Sequence, residues 1–123
     1  MKFSEDVNFG SQVINRYDDN SITVNERIFT HSLIVSNFQL VENWPVNEIN
    51  ELSNQSLQAI IELQPEVIII GTGKQILFPR PENYSSIINT GIGIEFMNTG
   101  AACRTYNILL SEDRKVAAGI IIS

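Results

Sequence analysis

The sequence predicts a single α/β domain over residues 1–123, in which a small antiparallel β unit precedes an alternating half of strands and helices. Its length is about that of one domain, and no repeat, low-complexity tract or linker divides it. Short apolar runs separated by turn residues fill roughly the first fifty positions, as in antiparallel β structure. From Glu66 onward, strand-like runs alternate with helix-like segments, which is typical of α/β domains.

Turn residues separate short strand-like runs in the first half of the sequence. Residues 18–20, Asp-Asp-Asn, favour a turn, and Ile22 and Val24 alternate with polar neighbours as in a strand. Residues 31–35 and 38–41 are two further apolar runs with a Ser-Asn pair between them. We expect all these strands to form one small antiparallel unit.

The first helix is predicted after Trp44 and Pro45, because proline lacks a backbone donor and closes the preceding run. Trp44 itself is either a core residue or an exposed interface anchor. Ser53 can cap the helix, and the Gln-Pro pair at 64–65 ends it. Helical spacing gives the buried stripe as Ser56, Ala59, Ile60 and Leu63.

A buried strand and a short helix follow. Residues 67–70 are one valine and three isoleucines, a run that suits a central strand covered on both faces. Pro81 fits the first position of a helix, and Gly91 fits the position just beyond its end. This helix is predicted to run through Tyr84, Ile87 and Ile88.

The last part of the sequence is predicted to form a strand, a helix and a second strand. Residues 92–97 form the first of these strands. Asn98 or Thr99 caps the third helix, which runs to about Leu110. After a turn, residues 116–122 form the final strand.

Composition narrows the classes of partner. The net charge is −6 with no long basic stretch, which disfavours nucleic-acid binding. The apolar runs are far shorter than the roughly 20 residues that span a membrane, so we expect no membrane insertion. The single cysteine allows no internal disulfide, and the first ten residues lack a signal core, so we expect a cytoplasmic location. Charged residues, at 18%, are scarce, which favours a surface covered by a partner protein or by a homo-oligomer.

Two turns that follow strands are the candidate ligand site, because backbone N–H groups there can face a ligand. We expect these turns, at 71–74 and 98–101, to lie close together at the carboxyl ends of neighbouring strands. Residues 67–123 carry five bases against four acids, so a small anion would prefer this half. Neither a Walker loop nor a dinucleotide fingerprint is complete. The turns are therefore either structural or ligand-cradling. The candidate ligand-binding residues are Gly71, Thr72, Gly73, Lys74, Asn98, Thr99, Gly100 and Arg104.

The third helix carries the remaining candidates. Cys103, one turn inside it, is interpreted as a packing residue or, alternatively, as a nucleophile. A nucleophile needs a base, and the only histidine, His31, is predicted to lie in a strand of the other half. Arg104 and Asn107 fall on a polar flank that is either solvated or partner-facing, and we expect both to contribute little to folding.

The acids and the single histidine and cysteine show no metal-ligand spacing, so we expect no metal and no cofactor. Glu95 is the lone acid of its predicted strand and is expected to be paired or at a sheet edge.

Several of these segments together resemble a known family. They are Gly71-Thr72-Gly73, Pro81-Glu82, Gly91-Ile92-Gly93-Ile94-Glu95, residues 98–107 and Val116-Ala117-Ala118, with Ser32, Trp44 and Glu66 also fitting. The chain resembles the Mth938-like family, small domains that include mitochondrial complex I assembly factor 3 and the adipogenesis-associated Mth938 domain-containing protein. The resemblance implies a compact three-layer α/β domain with a mixed central sheet, a small β layer and helices. It implies no catalytic residue. One departure is Asn98, where bacterial members often carry an acid.

The leading functional hypothesis is a non-catalytic interaction or assembly-factor-like module with a small-anion pocket. The alternative is a small-molecule-binding enzyme or carrier that uses the turns at 71–74 and 98–104, with Cys103 as nucleophile. The absence of a sequence-identified base counts against the alternative.

Overall fold

The computed structural model describes residues 11–122 and contains two β-sheets and three α-helices, which confirms the predicted α/β class. The smaller sheet is antiparallel with the order β1-β2-β3, and Ile22 pairs with Phe29 across its second ladder. Its buried face is apolar, because Ile14, Val24 and Ile22 all point into the core. The three strands are β1 (Ile14–Tyr17), β2 (Ile22–Val24) and β3 (Arg27–Phe29).

The larger sheet is mixed and has the order β5-β4-β8-β6-β7. Strand β8 lies in the middle, parallel to β6 and antiparallel to β4. Strand β6, which the continuous apolar run predicted to be central, has a neighbour on each side, whereas β7 is an edge. The strands are β4 (Leu33–Ser36), β5 (Leu40–Val41), β6 (Val67–Gly71), β7 (Gly93–Met97) and β8 (Val116–Ile120).

The placement of β4 and β5 corrects the expectation that all early strands form one small unit. Both belong to the larger sheet. The physical reason is burial: Leu33, Ile34 and Val35 are all buried, so this strand needs a packed layer on each face. Two boundaries also differ, since His31 lies in an exposed bend before β4 and Phe38 in an exposed turn after it.

Three helices flank the sheets. Ser53 caps α1 as predicted, in a capping box with Ser56, although the buried residues of this helix are Leu57 and Ile60. The predicted stripe was therefore wrong in part, because Ser56, Ala59 and Leu63 are only half-buried. The helices are α1 (Asn54–Ile61), α2 (Ser85–Ile88), which follows a 3-10 turn at Pro81–Tyr84, and α3 (Thr99–Ser111). Helix α2 ends at Ile88, which is exposed, whereas Ile87 is buried.

The elements form three layers, as the family resemblance implied. On one face of the larger sheet, α3 and the smaller sheet share a core with Ile69, Cys103 and Tyr106. On the other face, α1 and α2 share a second core with Ile68 and Trp44. Trp44 is buried, and its Nε1 donates a hydrogen bond of 3.0 Å to the carbonyl of Ser56. The interpretation of Trp44 as a core residue is confirmed.

Candidate functional site

The two predicted turns meet at the carboxyl ends of β6 and β7. The Gly73 N–H donates to Thr99 Oγ1 at 2.9 Å, and the Thr99 N–H donates to the Gly73 carbonyl at 2.8 Å. This reciprocal pair joins the turn after β6 to the start of α3. The prediction that the turns lie close together is confirmed, because neighbouring parallel strands end at the same edge of the sheet.

Thr72 holds the first turn in shape. Its hydroxyl donates to the Gln75 carbonyl at 2.6 Å and accepts from the Leu77 N–H at 3.1 Å. Its N–H donates to the Met97 carbonyl at 2.8 Å. Gly73 has φ of +103°, a left-handed value that favours glycine. The turn is thus fixed by its own hydrogen bonds, as the structural interpretation of this motif required.

Asn98 is the N-cap of α3, one of the two predicted caps. Its Oδ1 accepts a hydrogen bond from the Ala101 N–H at 2.8 Å, and its side chain therefore occupies a donor that an anion could have used. The Thr99 N–H is occupied as well. Within residues 11–122, the Gly100 N–H is the donor of this first turn that has no acceptor.

A cavity of about 700 Å³ opens beside these turns. It brings six of the eight predicted ligand-binding residues together, whereas Gly71 and Arg104 do not line it. Gly71 is buried at the end of β6, and Arg104 lies behind Gly100. The lining residues are Tyr17, Asp18, Asp19, Asn20, Thr72, Gly73, Lys74, Gln75, Leu77, Asn98, Thr99, Gly100, Ile121 and Ile122.

The acidic turn at 18–20 is the part of the cavity that sequence reasoning did not assign to it. Asp19 Oδ2 lies 3.2 Å from Lys74 Nζ, so the candidate anion-binding lysine already has a carboxylate partner. The Asn20 N–H and the Ser21 hydroxyl donate to the Asp18 carboxylate and hold its pKa below the usual value. Asp18 is thus charged at neutral pH. With two acids and one base, the cavity does not favour an anion.

Arg104 and Tyr17 form the rim behind Gly100. Arg104 Nη1 donates to the Tyr17 hydroxyl at 2.7 Å, and both side chains are exposed. A Cβ atom added to Gly100 would lie 3.0 Å from that hydroxyl and 3.3 Å from Arg104 Nη1. Because Gly100 has no side chain, the hydrogen-bonded pair of Arg104 and Tyr17 can lie over the start of α3.

The contacts of Asn107 contradict the expectation that the polar flank of α3 contributes little to folding. Its Oδ1 accepts from the Ile14 N–H at 3.1 Å, and its Nδ2 donates to the Ile14 carbonyl at 2.8 Å. One side chain thus satisfies both backbone groups of Ile14 and ties β1 to α3. Sequence spacing placed Asn107 on a polar flank but could not show that a strand of the other half packs there.

Cys103 is 1% exposed and packs in the first core. Burial raises the pKa of its thiol to about 12, and the charge of Arg104 opposes this only in part. A thiolate is the reactive form of cysteine, so this thiol is protonated and shielded at neutral pH. His31 makes no hydrogen bond to it within the part of the chain that the structure describes.

We expect the Cys103 thiol to react with a thiol reagent at neutral pH only when the protein unfolds. Because the folded pKa is raised, the stability contributed by the protonated thiol is complete below its ordinary pKa of 9.0 and is lost as the pH rises toward 12. The contribution of this thiol to the free energy of unfolding should fall by up to about 1.4 kcal/mol per pH unit in that window. Urea unfolding between these pH values measures the slope.

Cys103→Ala should make that slope shallower. Part of the slope should remain, because burial also raises the pKa of Tyr106. Rapid labelling of the folded protein at pH 7, or an identical slope in the variant, would contradict the description of Cys103 as a packing residue.

The sequence and the fold match known proteins. Residues 14–121 match the family described as protein of unknown function (DUF498/DUF598). A solution structure of a Mth938-like domain from Bordetella pertussis superposes with a TM-score of 0.81 at 28% identity, covering 98% of this chain and 92% of that one.

Two curated relatives illustrate the range of names in this group. The 13 kDa major membrane protein of Francisella tularensis subsp. holarctica is 36% identical over 94 residues, which is 76% of each chain. The NADH dehydrogenase (ubiquinone) 1 alpha subcomplex assembly factor 3 of Mus musculus is 27% identical over 111 residues, covering 88% of this chain and 59% of that protein. This chain thus spans less than two-thirds of the mouse relative. Among its described residues, no helix is long and apolar enough to cross a membrane.

Proposed function

The chain belongs to the DUF498/DUF598 family, and we propose that it acts as a non-catalytic interaction module with an assembly-factor-like role. The similarity to a mouse protein named as an assembly factor supports this role. An assembly factor works by binding another protein, so the proposal requires a surface suited to a protein partner. We infer that this surface lies at the mouth of the cavity.

The observation that carries the proposal is a row of exposed apolar side chains after the first turn. Three consecutive apolar residues are exposed here: Ile76 by 50%, Leu77 by 42% and Phe78 by 67%. Leu77 also lines the cavity, so this apolar row and the cavity mouth form one continuous surface. Contiguous exposed apolar side chains mark protein interaction sites, because leaving them in water costs free energy that a partner recovers.

The geometry gives catalysis less support. The helix donors at the cavity are largely occupied by Asn98 and by Gly73, and Lys74 is paired with Asp19. Cys103 is buried away from the cavity, and it is not one of the lining residues. Within residues 11–122, the candidate nucleophile Cys103 is therefore not placed at the cavity that could hold a substrate.

A capture experiment with matched phenylalanine variants tests the proposed surface. The tagged chain would be used to isolate its partner from the native cell, in wild-type form and as Phe78→Ser. The control is Phe38→Ser, since Phe38 is 61% exposed but lies at the opposite end of the sheet, after β4. We expect Phe78→Ser alone to lose the partner. Equal loss in both variants, or in neither, would count against the apolar row as the binding surface.

Arg104→Ala should leave the melting temperature nearly unchanged and weaken capture of the same partner. The exposed hydrogen bond to Tyr17 contributes less than about 0.5 kcal/mol to folding, whereas a desolvated interface arginine can contribute more than about 2 kcal/mol to binding. The matched control is Arg114→Ala, another exposed arginine with a surface partner, Glu66. Capture that survives Arg104→Ala would remove Arg104 from the partner surface.

A small-molecule carrier or enzyme is the second candidate, and the size of the cavity favours it. A volume of about 700 Å³ falls in the range of small-ligand sites, about 300 to 1,000 Å³. Phosphate and nucleotides that raise the melting temperature of the wild type, but not of Lys74→Ala, would support this candidate. No shift with any anion would remove the anion-binding form of this candidate.

The cytoplasmic location stays a prediction, since one relative carries a membrane protein's name. Fractionation of the native cell under high salt would check it. Recovery of the chain in the membrane pellet after a salt wash would contradict a cytoplasmic location.

A further inference from the structure

The outer edge of the larger sheet leaves backbone groups unpaired. The Gly93 N–H donates to Glu66 at 3.2 Å, and the Met97 carbonyl accepts from Thr72 at 2.8 Å, so alternate residues of β7 direct their peptide groups toward β6. The residues between them, Ile94 and Phe96, direct theirs outward. Neither residue makes a backbone hydrogen bond on that side within residues 11–122.

An apolar surface adjoins this edge. The Phe78 ring packs edge-on against Phe96, with centroids 6.0 Å apart, while most of its own surface stays exposed. Ile94 lies on the same face as Phe96, because side chains alternate along a strand, and it is half-buried. A peptide placed along the edge could therefore bury apolar side chains on Ile94, Phe96 and Phe78.

The opposite face of the edge carries a negative charge. Glu95 is exposed, and its carboxylate makes no ion pair or hydrogen bond among the residues that the structure describes. The nearest position of an added strand is directly opposite Glu95, where a basic side chain would be stabilised and an acidic one repelled.

The position of Glu95 also argues against a second copy of this chain as the occupant. A two-fold antiparallel pairing that uses Ile94 and Phe96 of both chains places Ile94 opposite Phe96 and Glu95 opposite its own equivalent. Two carboxylates directly opposite each other destabilise the pairing. The edge is therefore better suited to a different chain.

We propose that β7 accepts an extended segment of a partner protein as an antiparallel sixth strand, with a lysine or arginine opposite Glu95 and apolar residues on either side. This inference rests on the proposed function, because it specifies the chemistry of the partner. Backbone hydrogen bonds to Ile94 and Phe96 supply affinity, and the alternating side chains supply specificity.

The test uses two synthetic peptides, Thr-Val-Lys-Val-Thr and Thr-Val-Glu-Val-Thr, titrated into the isotope-labelled chain and followed through its amide signals. The lysine peptide should shift the Ile94 and Phe96 amides and bind about twofold to fivefold more tightly than the glutamate peptide. Glu95→Lys should reverse that preference. Since Glu95 is exposed on an edge strand, the variant should keep the wild-type melting temperature, which is measured in parallel.

Methylated peptides test the geometry without altering the protein. Methylation of both valine nitrogens removes the donors that face β7 and should abolish binding, whereas methylation of the lysine nitrogen should preserve it. Equal binding of the two charged peptides, or shifts confined to other residues, would overturn the proposal. Protection of the Ile94 and Phe96 amides that grows with protein concentration alone would overturn it in favour of self-pairing.

The outcomes separate this inference from the function on which it rests. Capture of a native partner that is lost in Phe78→Ser but unchanged in Glu95→Lys would leave the interaction module standing and refute the added strand. Peptide binding at β7, with no native partner captured, would instead support strand addition at this edge and count against the interaction module.

Discussion

Gly119→Ala should destabilise the domain by about 1 to 3 kcal/mol or prevent folding, because the core at this position is already full. A Cβ atom at Gly119 would lie 2.8 Å from two ring carbons of Trp44 and 3.2 Å from Ile60. The Trp44 ring cannot easily turn away, since its Nε1 is hydrogen-bonded to Ser56. Strand β8 is the middle of the sheet, so the backbone cannot move outward either. Urea unfolding measures the change.

Gly93→Ala is the matched control, because it makes the same substitution in a strand of the same sheet. The added Cβ would meet only Val67 Cγ2, at an ordinary contact distance of 3.8 Å. We expect its stability to stay within about 0.5 kcal/mol of the wild type. Similar losses in both variants would show that the effect comes from glycine replacement in a strand and not from Trp44.

Asn107→Ala should destabilise the domain by about 2 to 4 kcal/mol, because it leaves the N–H and C=O of Ile14 without their partners. Each unsatisfied buried backbone group costs about 1 to 3 kcal/mol, and partial access to water reduces the sum. Both groups lie in a part-buried contact between β1 and α3. Hydrogen exchange at Ile14 should speed up along with the loss of stability.

Two comparisons show whether the hydrogen bonds of Asn107 cause this loss. Ser111→Ala removes an exposed hydroxyl that donates only to Ile108 of the same helix, so we expect it to change stability by less than about 0.5 kcal/mol. Asn107→Asp keeps the acceptor for the Ile14 N–H but places a carboxylate against the Ile14 carbonyl, so it should also destabilise. A wild-type melting temperature for Asn107→Ala would restore the original expectation of a strip without a folding role.

Local patterns were sufficient where one segment determines its own structure. The strand at 67–70, the cap at Ser53 and the Asn98-Thr99 start of α3 were all predictable from residue type and spacing. The sheet to which β4 belongs was not predictable in this way. Its pairing with β8 joins residues more than eighty positions apart, and only burial of both its faces in the folded chain reveals the choice.

The candidate site was predictable in part for the same reason. Strand ends followed by glycine or asparagine identified both turns, and parallel pairing of β6 with β7 then brought them together. The contribution of Asp18 and Asp19 could not be predicted, because it depends on where the smaller sheet packs. That packing is fixed by long-range contacts such as the bonds from Asn107 to Ile14.

The central claim is that the apolar row at 76–78, at the mouth of the cavity, is the surface that binds a partner protein. Hydrogen–deuterium exchange on the complex of the wild-type chain with its captured partner tests this claim most directly. We predict slower exchange in the fragments that cover residues 72–80 and 93–97, with no change at residues 36–41 at the opposite end of the sheet. Slower exchange at residues 36–41, with unchanged exchange at residues 72–80, would contradict the claim.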